Sequence, residues 1–112
     1  MTAFRLGAVA YDPKVVTIWE GFKDWFATKG FDFDYVLFSN YEAQAEAHLQ
    51  GEVDVTWDSP LAWVRTRRLA EAAGRTARAV AMRDSDQDLQ SLVLVRSDSD
   101  VTAMGPGLIR IE

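Results

Sequence analysis

The chain has 112 residues, of which 48% are hydrophobic, a length and composition that suit one compact domain with a modest core. Its 17 acidic and 12 basic residues give a net charge of −5, which argues against a nucleic-acid partner and against attraction to an anionic membrane. The sequence contains no cysteine, so disulfides, thiolate catalysis and cysteine metal sites are excluded.

The first elements are a strand and an amphipathic helix. Residues 4–11 are a short apolar run that predicts a strand. Asp12 and Pro13 follow it with the residue types of a helix N-cap and a first helical position. Lys29 and Gly30 predict the end of this helix. Apolar residues recur in it at spacings of three and four, namely Val15, Ile18, Trp19, Phe22, Trp25 and Phe26.

A second strand–helix pair and a third follow. Residues 31–39 predict a buried strand, and Ser39 to Glu42 match the S-x-x-E capping box at the start of a helix that ends at Gly51. Residues 53–57 predict the third strand. Ser59 and Pro60 then open a third helix, which ends at Gly74.

The remaining chain changes character. Residues 76–83 and 91–97 predict a fourth and a fifth strand, separated by a polar stretch. The alternation of strands and helices predicts an α/β fold with a small, open, mostly parallel sheet and flanking helices. We expect one α/β lobe over residues 1–100 and an atypical tail over residues 101–112, which could serve as a substitute or exchanged edge strand.

Three strand-to-helix corners are the candidate binding site. In an open parallel sheet, ligands bind beyond the carboxyl ends of the strands. Each helix start there offers unpaired N–H groups and a positive dipole end, which suit an oxyanion or a polar small molecule. The candidate ligand-binding residues of the three corners are Tyr11 and Asp12; Ser39, Asn40 and Tyr41; and Asp58, Ser59 and Pro60.

The same corners have a purely structural interpretation. Asp12, Ser39 and Ser59 are ordinary capping residues, and a cap needs no ligand. The carboxylates of Asp12 and Asp58 would repel a simple anion from the helix dipole. If these corners bind a ligand, the carboxylates favour one that also carries hydroxyl, N–H or amine donors.

Other chemical signals are weak. His48 is the single histidine and has no cysteine or suitably spaced carboxylate beside it, so we expect a structural role and no metal site. Arg65, Arg67 and Arg68 are typical of a solvated helix end. The sequence contains neither a G-x-G-x-x-G nor a Walker pattern. We therefore predict no catalytic residues and no cofactor.

The chain resembles a family of transport proteins. The segments "LGAVAYDP", "FDYVLFSNYEAQAEAHLQGEVDVTWDSPLAWV" and "AMRDSDQDLQSLVLVRSDS" resemble phosphate/phosphonate-type substrate-binding proteins of ABC importers, which have the type 2 periplasmic-binding-protein fold. The resemblance covers about residues 4–99. Its most specific part is G-x-V-D-V-x-W-x-S-P at residues 51–60.

The resemblance implies passive binding of a small molecule between two α/β lobes, with an ABC permease as partner of the full-length protein. It places the same eight corner residues on the first lobe's share of the cleft. The chain is similar to the first lobe only, so we expect a truncated binding module with an unfilled slot in its sheet. A second copy could supply the missing pairing and give a homodimer.

Two alternative functions stay open at this point. Some members of the wider fold are decarboxylase- or synthase-like enzymes, for which Asp12, Asp58 and His48 would be the acid–base candidates. A cytoplasmic ligand-sensing or interaction domain is the other alternative. The N-terminus shows no secretory signal and no apolar run is long enough to span a bilayer. A removed signal would leave the same sequence, so the compartment stays open.

Overall fold

The computed structural model describes residues 3–88, 92–105 and 108–110. The chain divides into two compact units, Met1–Ala79 and Val80–Glu112. Within the described ranges, no helix is both long enough and apolar enough to cross a membrane.

The first unit contains a three-stranded parallel sheet. Its strands β1 (Phe4–Val9), β2 (Phe33–Phe38) and β3 (Val55–Thr56) lie in the order β2-β1-β3. The central strand β1 pairs with β2 along its whole length but with β3 only through two residue pairs. The small, open, parallel α/β sheet expected from the sequence is therefore confirmed.

Helices follow each strand, as the hydrophobic periodicity predicts. They are α1 (Lys14–Thr28), α2 (Tyr41–Leu49) and α3 (Pro60–Ala72). Each ends at a glycine in the left-handed region, with φ of 71° at Gly30, 80° at Gly51 and 71° at Gly74. A left-handed residue after the last turn favours glycine because a Cβ is strained there, which is why these three stop positions were predictable.

The two faces of the sheet carry different helices. On one face, Val15 and Trp19 of α1 pack with Ala8 and Phe33 in the buried core. Side chains alternate along a strand, so Gly7 points to the other face. Thr56 is paired with Gly7, and its hydroxyl lies 3.4 Å from the ring of His48 on α2. Helix α2 therefore covers the face opposite α1, as right-handed crossovers require.

The predicted fourth and fifth strands do not form. Residues 76–83 and 92–96 have no regular structure, and only a short 3-10 helix, Asp84–Asp86, lies between them in the part of the chain that is described. Their apolar side chains are exposed, with Val80 at 85% and Leu94 at 88%. A β-rich composition favours a strand only where a neighbouring strand offers hydrogen bonds, and neither segment lies in either sheet.

The second unit contains an antiparallel strand pair. Strand β4 (Thr102–Gly105) pairs with β5 (Leu108–Arg110), with a register irregularity between Ala103 and Gly105. Residues 106, 107, 111 and 112 of the predicted tail lie outside the described residues. The lobe boundary near residue 100 and the tail's role as a substitute or exchanged edge strand stay predictions.

Candidate functional site

The three corners lie side by side at the carboxyl edge of the sheet. Just beyond β1, the N–H of Ala10 donates to the carbonyl of Phe38 at 2.9 Å, and the N–H of Trp57 donates to the carbonyl of Gly7 at 2.9 Å. From β1 the chain continues to β2 on one side of it, and after α2 it enters β3 on the other side of β1. The crevice between β1 and β3 is thus the switch point where open α/β sheets bind ligands.

At the first corner, Asp12 caps α1. Its Oδ1 accepts from the N–H of Lys14 at 2.9 Å, and its carbonyl accepts from the N–H of Val15 at 3.0 Å. Pro13 already has helical angles, φ −55° and ψ −30°. The capping role predicted for Asp12 is confirmed, and its neighbour Tyr11 is 72% exposed.

At the second corner, the predicted capping box is wrong by one residue. The N-cap is Asn40, whose Oδ1 accepts from the N–H of Ala43 at 2.7 Å. Asn40 has extended angles, φ −154° and ψ 166°, so the helix begins after it and Ser39 lies one position too early to cap. Glu42 forms an ion pair with Arg65 at 2.7 Å instead of turning back to Ser39. The amide of Asn40 offers the helix N–H an acceptor that competes successfully with the Ser39 hydroxyl.

At the third corner, Ser59 caps α3 as predicted. Its Oγ accepts from the N–H of Ala62 at 3.2 Å, and Pro60 is the first helical residue. The half-buried Asp58 accepts two hydrogen bonds within the first unit. Its Oδ1 accepts from Nε2 of Gln44 at 2.7 Å, and its Oδ2 accepts from Oγ1 of Thr56 at 3.1 Å. The charge of Asp58 is therefore partly offset by protein donors.

Sequence reasoning missed the buried Gln44. This side chain is completely buried on α2, and its Nε2 donates to the carbonyl of Trp57 at 3.1 Å as well as to Asp58. Its Oε1 has no hydrogen-bond partner among the described residues. The available signal was a polar residue beside Ala45 and Ala47 on the buried face of α2, because a glutamine in such a stripe needs partners.

Asp34 and Tyr35, whose pKa values are shifted, lie on β2 and away from the three corners. The pKa of Asp34 is lowered chiefly by the N–H of Tyr35, and Lys23 lies 3.3 Å from its carboxylate. The hydrogen bond from the Tyr35 hydroxyl to Glu20, at 2.7 Å, raises the pKa of Tyr35 to about 12. The Lys23–Asp34 ion pair and the Tyr35–Glu20 hydrogen bond both join α1 to β2.

A small cavity of about 60 Å³ lies at the other end of α2 and α3. None of the predicted corner residues lines it. The guanidinium of Arg75 closes one side, where it donates to the carbonyl of Leu49 at the end of α2. The cavity is lined by His48, Leu49, Thr66, Ala70, Arg75, Thr76 and Ala77.

A comparison with protein families identifies the chain. A profile described as "ABC transporter, phosphonate, periplasmic substrate-binding protein" matches residues 8–105, which include all three corners. This is a family of transporter substrate-binding proteins and not of enzymes. No curated protein matches the chain. No solved structure matches it. The chain belongs to the phosphonate periplasmic substrate-binding protein family of ABC transporters.

Proposed function

We propose that the carboxyl edge of the sheet binds a small oxyanion solute of the phosphonate class and forms one wall of the binding cleft. The proposal rests on one observation: three helix N-termini lie at the same edge of the sheet, and each follows directly after a parallel strand. Backbone N–H groups at such helix starts bind phosphate-like groups. Membership of the phosphonate-binding family supports this ligand class.

The proposed contacts are the eight corner residues. Exposed groups are available to a ligand at the first two corners, where the phenol of Tyr11, the hydroxyl of Ser39 and the amide of Asn40 lie. At the third corner, Ser59 and Asp58 are half-buried. The full proposed set is Tyr11, Asp12, Ser39, Asn40, Tyr41, Asp58, Ser59 and Pro60.

The two carboxylates shape the expected ligand. Asp12 uses one oxygen to cap α1, and Asp58 receives hydrogen bonds from Gln44 and Thr56. Their remaining lone pairs repel bare anions but accept from hydroxyl, N–H or amine groups. We therefore expect an oxyanion that also carries a donor to bind better than inorganic phosphate.

One wall alone should bind weakly. The second lobe of a two-lobed binding protein normally covers the ligand and removes its remaining contact with water. We propose that the residues described here form one lobe of the binding module, and that an ABC permease is the partner of the complete two-lobed protein. Calorimetric binding by a monomer with a Kd below about 1 µM would contradict the single-wall proposal.

Weak binding is best tested residue by residue. We expect methylphosphonate, titrated to about 10 mM to cover millimolar Kd values, to shift backbone amide NMR signals at the first turns of α1, α2 and α3. Glycerol at the same concentration is the control for nonspecific effects. Shifts confined to the helix C-termini, or none at all, would contradict the proposed site.

A further inference from the structure

The side chain of Gln44 connects two of the three corners. It lies in the first turns of α2, which starts at the second corner, and its Nε2 donates to two acceptors of the third corner. These are the carbonyl of Trp57 at 3.1 Å and Oδ1 of Asp58 at 2.7 Å. Because both partners precede the cap Ser59, Gln44 determines where the N-terminus of α3 lies relative to that of α2.

The buried Gln44 side chain has both a cost and a gain in stability. Gln44 is 0% exposed, and its Oε1 has no partner among the residues that are described. A buried acceptor without a donor is destabilising, and an apolar side chain of similar volume would remove that cost. The gain that offsets it is the pair of bonds from Nε2, one of them to a charged carboxylate.

Thr56 forms a hydrogen bond with the second carboxylate oxygen of Asp58. Its Oγ1 donates to Oδ2 at 3.1 Å while Gln44 holds Oδ1. With both oxygens held, the carboxylate has one orientation, and the backbone from Trp57 to Ser59 is fixed with it. A site whose parts are held before the ligand arrives loses less entropy on binding.

We propose that Gln44 is a positioning residue of the binding edge: it holds the N-termini of α2 and α3 at the spacing that an oxyanion ligand bridges. This inference rests on the proposed phosphonate-binding function. Gln44 acts through Trp57 and Asp58 and does not itself touch the ligand.

The test compares Gln44→Met with Gln50→Met in the full chain. Methionine matches the size of glutamine and forms helices well. Gln50 undergoes the same chemical change, but among the described residues its side-chain amide contacts only Glu46, at 3.3 Å, on the exposed surface. In NMR titrations with methylphosphonate, we expect Gln44→Met to weaken binding by about tenfold, the factor that corresponds to one lost charge-assisted bond. Gln50→Met should leave the affinity unchanged.

A second readout separates positioning from general loss of structure. In Gln44→Met, the methylphosphonate-induced shift at the Ala62 amide should shrink far more than the shift at the Lys14 amide of the first corner. If Gln44→Met does not fold, Gln44→Leu provides the same test, because it is also apolar, loses the donor and places no charge beside Asp58.

The outcomes distinguish the two proposals. No methylphosphonate-induced shifts in the wild-type chain overturn the proposed function. Normal wild-type binding together with unchanged affinity in a folded Gln44 variant overturns only the role of Gln44. Equal loss of the Ala62 and Lys14 shifts also overturns it, since that pattern indicates a general disturbance.

Discussion

Gly7 shows how closely single residues are constrained at the centre of the sheet. A Cβ at this position would lie 3.0 Å from Cε2 of Phe38 and 3.4 Å from Cγ2 of both Thr56 and Val53. At position 7, the face of β1 that α2 covers therefore has little room for a side chain. On the exposed face of α1, by contrast, a Cβ at Gly21 would meet nothing within 4 Å.

The two glycines give opposite predictions. We expect Gly7→Val to lower the free energy of unfolding by about 1–3 kcal/mol through overpacking. Gly21→Ala should raise it by up to about 1 kcal/mol, because alanine is the better helix former. Urea denaturation of both variants checks this pair, and a destabilised Gly21→Ala would indicate a contact on that face of α1.

The cap of α2 provides a second residue-scale prediction. Asn40→Ala should lower the free energy of unfolding by about 1 kcal/mol, because it removes the acceptor for the N–H of Ala43. Ser39→Ala should change it by less than about 0.5 kcal/mol, as exposed positions usually do. A larger loss of stability in Ser39→Ala, measured by thermal denaturation, would indicate that the Ser39 hydroxyl caps α2 after all.

At the scale of elements, two polar contacts add to the apolar packing of α1 against β2. Tyr35 donates to Glu20 at 2.7 Å, and Lys23 pairs with Asp34 at 3.3 Å. The second pair is about half exposed on both sides, so we expect it to contribute little. The first contact is visible spectroscopically because it raises the pKa of the phenol.

We predict that one tyrosine ionises near pH 12. The pKa of Tyr35 rises from 10.0 to about 12 because Glu20 accepts its proton in a hydrogen bond. Since the folded state holds this proton more tightly, the associated stability is complete below pH 10 and disappears as the pH approaches 12. Absorbance at 295 nm should show a late step, absent in Tyr35→Phe and moved to lower pH in Glu20→Gln. An unchanged step in Tyr35→Phe would contradict the assignment.

At the scale of the whole molecule, the edge strands β2 and β3 of the three-stranded sheet bear on the oligomeric state. Within the described residues, β2 and β3 each pair only with β1. Unpaired strand edges tend to recruit other strands.

We therefore expect a homodimer in solution. Size-exclusion chromatography with light scattering should give twice the 12.6 kDa chain mass, with dissociation on dilution. A proline at Val36 would not be informative, because it would also break the pairing of β2 with β1. A monomer at all concentrations would contradict the dimer.

Helix boundaries were predictable because their causes are local. The glycines at 30, 51 and 74, and the caps Asp12 and Ser59, act within a few residues of the helix ends. The cap of α2 was misplaced because Ser39 and Asn40 both have suitable side chains, and only the extended angles of Asn40 decide between them. The fourth and fifth strands were predicted from composition, which says nothing about whether a partner strand is present.

By itself, the sequence determined the three helices, their glycine stops, the strand–helix alternation and the residue types of the corners. The tertiary structure decided the order β2-β1-β3 and the pairing that brings the corners together. It also decided that Asp58 is held by Gln44, 14 residues away, and by Thr56. Helix periodicity and caps arise between neighbours along the chain, whereas pairing and buried hydrogen bonds arise between residues that only folding brings into contact.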